Sequence, residues 1–473
     1  MSEKPVNRVW VLGFAGHRRV PDRTAAKAAV MDCLREFKAS ADGEWVGRSS
    51  AAAGADLIFL EACRELGMAY SVVLPFPEER FREDFDDAAE WQRAVDLMKS
   101  ASSIELAPGN EVAPEAYHLA AREILDVSDA LLFLWDQQPA RGIGGTAESV
   151  TEARERGMPV RIIDAGNLAI APLEREDGIS QKDEFFSRLP GFASVSLLFE
   201  ELDRRALHGA PRSRWFAAGS ISLNQVATVI SGVLIAFKLG ENAAPVVKFL
   251  IVTVAAFLPW IGARFRINDS WMEDRLHAEL LRSLLASHSF APPLRPFAAE
   301  LFEDDASFLR SAAWRLIPRR KDWSAERSSY LAERLDGQIH YLETKGDLAA
   351  RRLKTFWTIF RIASSGAMVL GAIAIFAGVS GWQVGERTNR IWLMFLPTIL
   401  PAVAAWCLAM IPLFEYKRRA KVYRHMAGQL ARKRTELLEA KCRTTAAAVV
   451  ASCERLLLTE LWEWTGTRGK RKR

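Results

Sequence analysis

Three short loops in this chain hold the residue types that bind anions. The first is Gly13-Phe-Ala-Gly16-His17-Arg18-Arg19, which follows an apolar run. Its glycines let a ligand approach the backbone closely. The planar guanidinium of Arg18 can bond two phosphate oxygens at once, which makes it the stronger phosphate candidate. His17 has no acidic neighbour in sequence to orient it, so it reads as a hydrogen-bonding partner rather than a base. The second loop is Ser49-Ser50-Ala-Ala-Ala-Gly54-Ala55-Asp56. Its small side chains leave room, and the amides at the start of a following helix favour an anion. The third loop is Trp135-Asp136, then Gly142, Gly144, Gly145, Thr146 and Glu148. A helix that opens directly after paired glycines presents unpaired N–H groups. Asp136 could hold a ribose hydroxyl or cap a helix. The Gly13-x-x-Gly16 spacing is not the dinucleotide fingerprint G-x-G-x-x-G, and no G-x-x-x-x-G-K-[ST] run appears. Any one of these glycines could serve a tight turn without a ligand. The weight falls on three such loops together.

Strands must aim these loops. Six short apolar segments, at 9–13, 44–49, 70–76, 103–106, 130–135 and 160–164, are mostly separated by helical stretches such as 25–37, 55–66, 88–100 and 146–156. Strands apolar on both faces and alternating with helices predict a parallel sheet with crossover helices, a Rossmann-like α/β domain over 1–170. Sites in such sheets lie outside the carboxyl ends of the strands. The three loops are therefore expected to converge on one edge.

The remainder of the chain follows a different grammar. The overall composition, 49% hydrophobic and 26% charged, looks globular only because it averages two halves. Stretches 215–237, 362–384 and 391–414 carry no charge, and 249–263 is a shorter one with Lys248 at its edge. At about 1.5 Å per residue, roughly 20 residues cross a 30 Å hydrocarbon layer. The expectation is an all-α membrane region of four transmembrane helices in two hairpins, 211–266 and 356–416. A helical linker at 171–210, a helical region at 267–355, and amphipathic helices with a basic tail at 417–473 surround them. Arg205, Arg212, Arg214, Arg264, Arg266, Arg351, Arg352, Lys354, Arg361, Lys417, Arg418, Arg419 and Lys421 flank the outer ends of the spans, whereas the short connections are poor in positive charge. Because cytoplasmic loops collect Lys and Arg, the amino-terminal domain, middle region and carboxyl terminus are all expected in the cytosol.

Other chemistry finds little support. Five scattered cysteines (Cys33, Cys63, Cys407, Cys442, Cys453) form no C-x-x-C pair and read as reduced thiols, and no metal site is expected. The opening residues, MSEKPVNRVWVLGF, read as a first strand rather than a secretion signal. The basic tail 465–473 has no aromatic or motif context for specific nucleic-acid binding. It reads as a solvated end or a contact with anionic lipid headgroups.

The run GFAGHR…SSAAAGADLIFLEAC…YSVVLPFPEERFREDF…AY…SDALLFLWDQQPARGIGGTAESVTEARERGMPV resembles the SLOG superfamily of Rossmann-like sensors. SYLAERLDGQIHYLETKGDLAARRLKTFW and YKRRAKVYRHMAGQLARKRTELLEA, on either side of the second hairpin, resemble SLATT-type membrane effectors, through layout and helix texture. The resemblance implies binding of a nucleotide-derived signal, ADP-ribose-like or of cyclic-nucleotide type, with no other cofactor. It also implies membrane permeabilisation in bacterial antiphage defence by abortive infection, at the inner membrane and as a homo-oligomer. Enzymatic cousins, the nucleotide phosphoribohydrolases, use a P-G-G-x-G-T-x-x-E loop. Here Gly144-Gly145-Thr146 stand, but the preceding proline is absent and Glu148 comes one residue early. That departure favours binding over catalysis, so no catalytic residue is assigned. A membrane-tethered phosphoribohydrolase acting through Glu148, and a membrane scaffold without ligand, are the alternatives.

Overall fold

The computed structural model describes residues 6–108, 113–139, 145–175, 179, 194–237, 244–264, 267–382, 385 and 388–469. Gly142 and Gly144 of the third loop lie outside the described residues. The chain forms two compact units, Met1–Leu198 with Ser283–Asp322, and Phe199–Arg282 with Trp323–Arg473.

The first unit is built on a six-stranded parallel sheet: β1 (Val9–Gly16), β2 (Glu44–Ser49), β3 (Tyr70–Leu74), β4 (Ser103–Leu106), β5 (Ala130–Trp135) and β6 (Val160–Asp164). The strand order is β4-β3-β2-β1-β5-β6. Crossovers are made by α1 (Arg23–Ser40), α2 (Ala55–Glu65), α3 (Glu78–Phe81), α4 (Ala88–Ser100), α5 (Ala113–Leu125) and α6 (Thr146–Glu155). The expected Rossmann-like α/β fold is therefore present. α1 shows why these segments are helical: Asp22 caps its start by accepting from Ala25 N–H at 2.9 Å, and Ala26, Val30, Cys33, Leu34 and Phe37 bury one face. β1 runs past its expected end at Gly13 to Gly16, because Phe14 and Gly16 still pair with Leu132 and Leu134 of β5. Gly13 lies inside the strand, where a Cβ would run into Ser128 and Leu131. Its role is close packing.

The chain continues through α7 (Val195–Ala236), α8 (Ala244–Arg264), α9 (Ile267–Ser287), α10 (Ala306–Leu316), α11 (Trp323–Ser329), α12 (Asp336–Ser380), α13 (Leu396–Leu413), α14 (Tyr416–Glu439) and α15 (Arg443–Gly469). The region 267–355, expected as one helical block, is divided between the units. Its part Ser283–Asp322 belongs with the sheet, for a clear physical reason. Val9, Val11, Val46 and Val127 form an apolar patch that Leu294 and Trp314 bury. Polar contacts pin the cover in place: Val9 N–H donates to Ser311 Oγ at 2.9 Å, Arg310 pairs with Asp129 at 2.8 Å and Arg315 with Glu44 at 2.5 Å. Arg295 bridges Glu123 and Asp126 at 2.6 and 2.7 Å.

The second unit is helical. Three of its helices contain stretches long and apolar enough to cross a membrane: Phe216–Leu234, one within Trp323–Ser380 and one within Asn389–Glu439. Only 11%, 11% and 17% of these apolar windows is buried within the chain, so protein does not cover them. Four such helices were expected. The apolar part of α8, Pro245–Ile261, is shorter, and at about 1.5 Å per residue it spans roughly 25 Å against a 30 Å layer. α12 also crosses the expected boundary at 355/356 unbroken, its polar first half running straight into its apolar second half. Within the unit, Ser220 Oγ donates to the Ala255 carbonyl at 2.7 Å, and Trp406 Nε1 to Ser222 Oγ at 3.0 Å. A buried ion pair, Arg334–Glu454 at 2.8 Å, sits at a π-helical turn, Tyr330–Leu335.

Candidate functional site

Sheet order reverses beside β1, whose neighbours are β2 and β5, and ligands of open α/β sheets sit at such a switch point. A cavity of about 330 Å³ opens there, at the carboxyl ends of β1 and β5. Of the residues expected to bind, Gly16, His17, Arg18, Ser50 and Asp56 line it, as do Trp135, Asp136, Gly145 and Thr146. Gly13, Ser49, Gly54 and Glu148 are not among its lining residues.

The end of β1 brings three of them in. Gly16 packs so closely on α2 that a Cβ there would lie 2.5 Å from that of Ala55. The imidazole of His17 reaches to β5, with Nε2 3.0 Å from Asp136 Oδ1 and also 3.0 Å from the Asp136 backbone nitrogen. With a proton on Nε2 the ring donates to the carboxylate; without it, Nε2 accepts the Asp136 N–H. Either way the ring ties the two strand ends together. Asp136 also accepts from Gln138 N–H at 3.0 Å, so it caps the turn after β5 rather than a helix while still facing the cavity. Arg18 is exposed, with its guanidinium carbon 5.1 Å from the centre of the Tyr117 ring.

The second loop departs from expectation. Its helix start was read as a source of amides for an anion, but its first two amides are already used. Ala55 N–H donates to the His17 carbonyl at 3.1 Å, and Gly54 N–H to Glu90 Oε1 at 3.0 Å. Gly54 has φ of +88°, and a Cβ there would collide with the Arg18 backbone, so its role is to let the two loops pack. Ser49 is wholly buried below the loop. What the loop offers the cavity is Ser50 and Asp56. The Asp56 carboxylate accepts from Ser50 Oγ at 3.1 Å and from Ala52 N–H at 3.3 Å. Burial nevertheless pushes this acid up to about 6, outweighing those bonds.

The third loop keeps its open helix start. Gly145 is the N-cap of α6, with no side-chain cap, and Gly145, Thr146 and Ala147 face the cavity. The first amides of such a helix lack intrahelical partners and carry the positive end of the dipole. Glu148 faces elsewhere, its Oε1 3.3 Å from His118 Nδ1.

Sequence reading gave no site role to Tyr117, which comes from α5. Its ring meets Phe76 edge-on at 5.6 Å, and its hydroxyl donates to Asp84. Burial, then the Asp84 bond, pushes this phenol up to about 12. The available signal was the spacing Tyr117, Ala121, Ile124 on one helix face, in which a small residue leaves room beside an aromatic one.

The cavity thus combines the Arg18 guanidinium and the α6 start, which suit an anion, with the Asp56 and Asp136 carboxylates and the hydroxyls of Ser50, Tyr117, Thr146 and Ser149, which suit sugar hydroxyls. Among the described residues no cluster of three or more His, Cys, Asp or Glu side chains could hold a metal ion.

No protein-family model matches this chain, and no curated protein matches it. Among solved structures it is similar to the X-ray structure of DNA processing protein A (DprA) from Streptococcus pneumoniae. The two share 15% identity over 41% of this chain and 65% of that one, with a TM-score of 0.25. The Rossmann-like assignment rests on the strand order and parallel register.

Proposed function

We propose that this chain is a membrane effector of a bacterial antiphage system. Its sheet unit senses a nucleotide-derived signal, ADP-ribose-like or of cyclic-nucleotide type, and its apolar helices respond by opening a pore or disrupting the bilayer. The observation that carries the reading is the pairing, at one switch-point cavity, of an uncapped α6 start and Arg18 with the acceptors Asp56 and Asp136. Phosphate would suit the first pair and ribose hydroxyls the second. Glu148 favours binding over glycosidic cleavage, because it is not among the cavity's lining residues and pairs with His118.

On this reading the protein lies in the inner membrane with α8 as a fourth, thin span, Lys248 snorkelling to the surface. Both termini and the middle segment are then cytosolic, and several copies assemble, since few spans enclose a wide path. The chain passes between its two units three times, after Leu198, Arg282 and Asp322, so occupancy of the sheet unit has three covalent routes to the helices. A shift of the closed:open balance from 1:99 to 99:1 needs about 5.5 kcal/mol of differential affinity. A few charge-assisted phosphate bonds made in one state supply that order of energy.

The test uses the full chain in dye-loaded liposomes, challenged with ADP-ribose and a panel of cyclic nucleotides. Ligand-dependent dye release that Arg18→Ala and Gly145→Val suppress is the expected result. Release that persists in both variants would overturn the site.

A further inference from the structure

The middle of α7 carries a polar group that its own chain leaves unsatisfied. The apolar stretch Phe216–Leu234 packs on two neighbours within the helical unit. α8 meets it at Gly219 and Ser220, through Leu258 and the Ala255 carbonyl. α13 meets it at Ser222 and Gly232, through Trp406 and Ile399. The hydroxyls of the stretch find acceptors close by. Ser220 donates to α8, while Thr228 and Ser231 donate to the Asn224 and Ala227 carbonyls one turn back. Asn224 differs. Its Nδ2 donates once, to the Ser220 carbonyl at 3.2 Å, and its side chain stays exposed. Among the described residues its amide oxygen accepts no hydrogen bond. A carboxamide offers two donor and two acceptor positions, so most of this one is open. At about 1.5 Å per residue, Asn224 lies about 12 Å from one end of the stretch and about 15 Å from the other.

We propose that Asn224 marks the surface through which α7 binds α7 of a second copy of this chain. The inference rests on the reading of α7 as a membrane span, and it names the contact through which copies assemble. At mid-span the short side chain reaches no headgroup, and acyl chains neither donate nor accept, so an open amide there is costly. The partner must supply both a donor and an acceptor at that depth. A carboxamide is its own complement: a two-fold axis beside Asn224 sets each amide against its counterpart, donor to acceptor in both directions. The neighbouring side chains permit the approach. Ala217, Ser220, Asn224, Thr228 and Ser231 recur every three or four residues, so they share one side of the helix, and all are short. Short side chains let two spanning helices come close enough for such bonds to form. A lone amide in an apolar seam also fixes the register of the pair, because only one alignment satisfies it.

The experiment uses the full chain in liposomes, with the exposed Cys442 changed by Cys442→Ser to remove its background reactivity. Asn224→Cys and Val226→Cys are each oxidised with copper phenanthroline and, separately, labelled with a membrane-impermeant maleimide. Val226 is 46% exposed but turned about 200° round the helix, so it reports the other side. Covalent dimer about tenfold more abundant for Asn224→Cys than for Val226→Cys is expected, with neither position labelled. Self-association, read by energy transfer on dilution with lipid, should weaken about tenfold in Asn224→Leu and stay within about threefold in Asn224→Gln, which keeps the amide. Equal cross-linking at the two positions, or an Asn224→Leu chain that associates like the parent, would overturn the contact while leaving α7 in the bilayer. Labelling at Asn224→Cys alone would place the amide on a water path and likewise overturn it. Labelling at both positions would show that α7 does not span, and the membrane reading itself would fall.

Discussion

The starts of α2 and α6 are made of the same parts. Each has glycine at the N-cap, no capping side chain and an acidic residue in the first turn, Asp56 in one and Glu148 in the other. Both stand beside the cavity at the carboxyl edge of the sheet, yet they do opposite things. At α2 the backbone is left-handed at Gly54, the Gly54 and Ala55 amides are taken by Glu90 and His17, and the acid turns inward to be buried. At α6 the N-cap backbone is extended at φ of −85°, the start faces the cavity, and the acid turns away toward His118. A glycine before a helix therefore signals a site only if no neighbouring chain has claimed the amides behind it. For α2 the claimant is the β1 loop, and the result is a wall; for α6 it is an opening.

Valine at each glycine should separate wall from opening. Gly54→Val meets positive φ and the Arg18 backbone together, and should cost about 4 kcal/mol of stability in denaturant unfolding of the full chain. Gly145→Val meets no such backbone strain, since its φ is ordinary for any residue. It should unfold like the parent while losing about 100-fold or more in affinity, by calorimetry, for the nucleotide that binds from the panel. If Gly54→Val folds normally, or Gly145→Val binds normally, the contrast between the two starts fails.

The buried acid sharpens the comparison through pH. Asp56 titrates at about 6 in the fold against 3.8 as a free side chain, so between these values the folded state holds the proton more tightly. Stability therefore falls as pH rises from about 4 to about 6 and is level above that, a loss of about 3 kcal/mol for about two pKa units. Asp56→Asn cannot ionise. It should match the parent near pH 4 and exceed it by about that amount at pH 7. An anionic ligand should likewise bind the parent more tightly as pH drops toward 6. A pH-independent difference between variant and parent would place the ionisation elsewhere.

These contrasts also mark what could be read ahead of the structure. Short apolar segments gave the strands and uncharged runs gave the long open helices, because burial and solvation leave their period in the local sequence. The three loops were legible for the same reason, since each follows a strand. Partnership across the chain was not. His17 meets Asp136 across 119 positions, and nothing near either residue announces the other. Trp314 sits on a helix like its neighbours and Leu294 in a proline-rich turn before it, and only the valine patch explains why that segment joins the sheet. By the same logic a fragment ending near Leu198 would expose that patch, and soluble work on the sheet unit needs Ser283–Asp322 included.

Arg18 and Glu148 bring the comparison down to single side chains. Arg18 is exposed and stacks on Tyr117, so Arg18→Ala should leave unfolding within about 0.5 kcal/mol of the parent. Its charge-assisted bonds to a phosphate should cost about tenfold or more in affinity, and the loss should grow at low salt, where screening is weakest. Glu148→Gln should do least of all. It breaks a partly exposed contact with His118, worth under about 1 kcal/mol, and removes nothing that lines the cavity. Affinity should stay within about twofold, and neither parent nor variant should release a free base from the panel nucleotides. Base release by the parent that disappears in Glu148→Gln would reverse the assignment. The α6 start would then bind a substrate, and Glu148 would have to swing from His118 into the cavity during turnover.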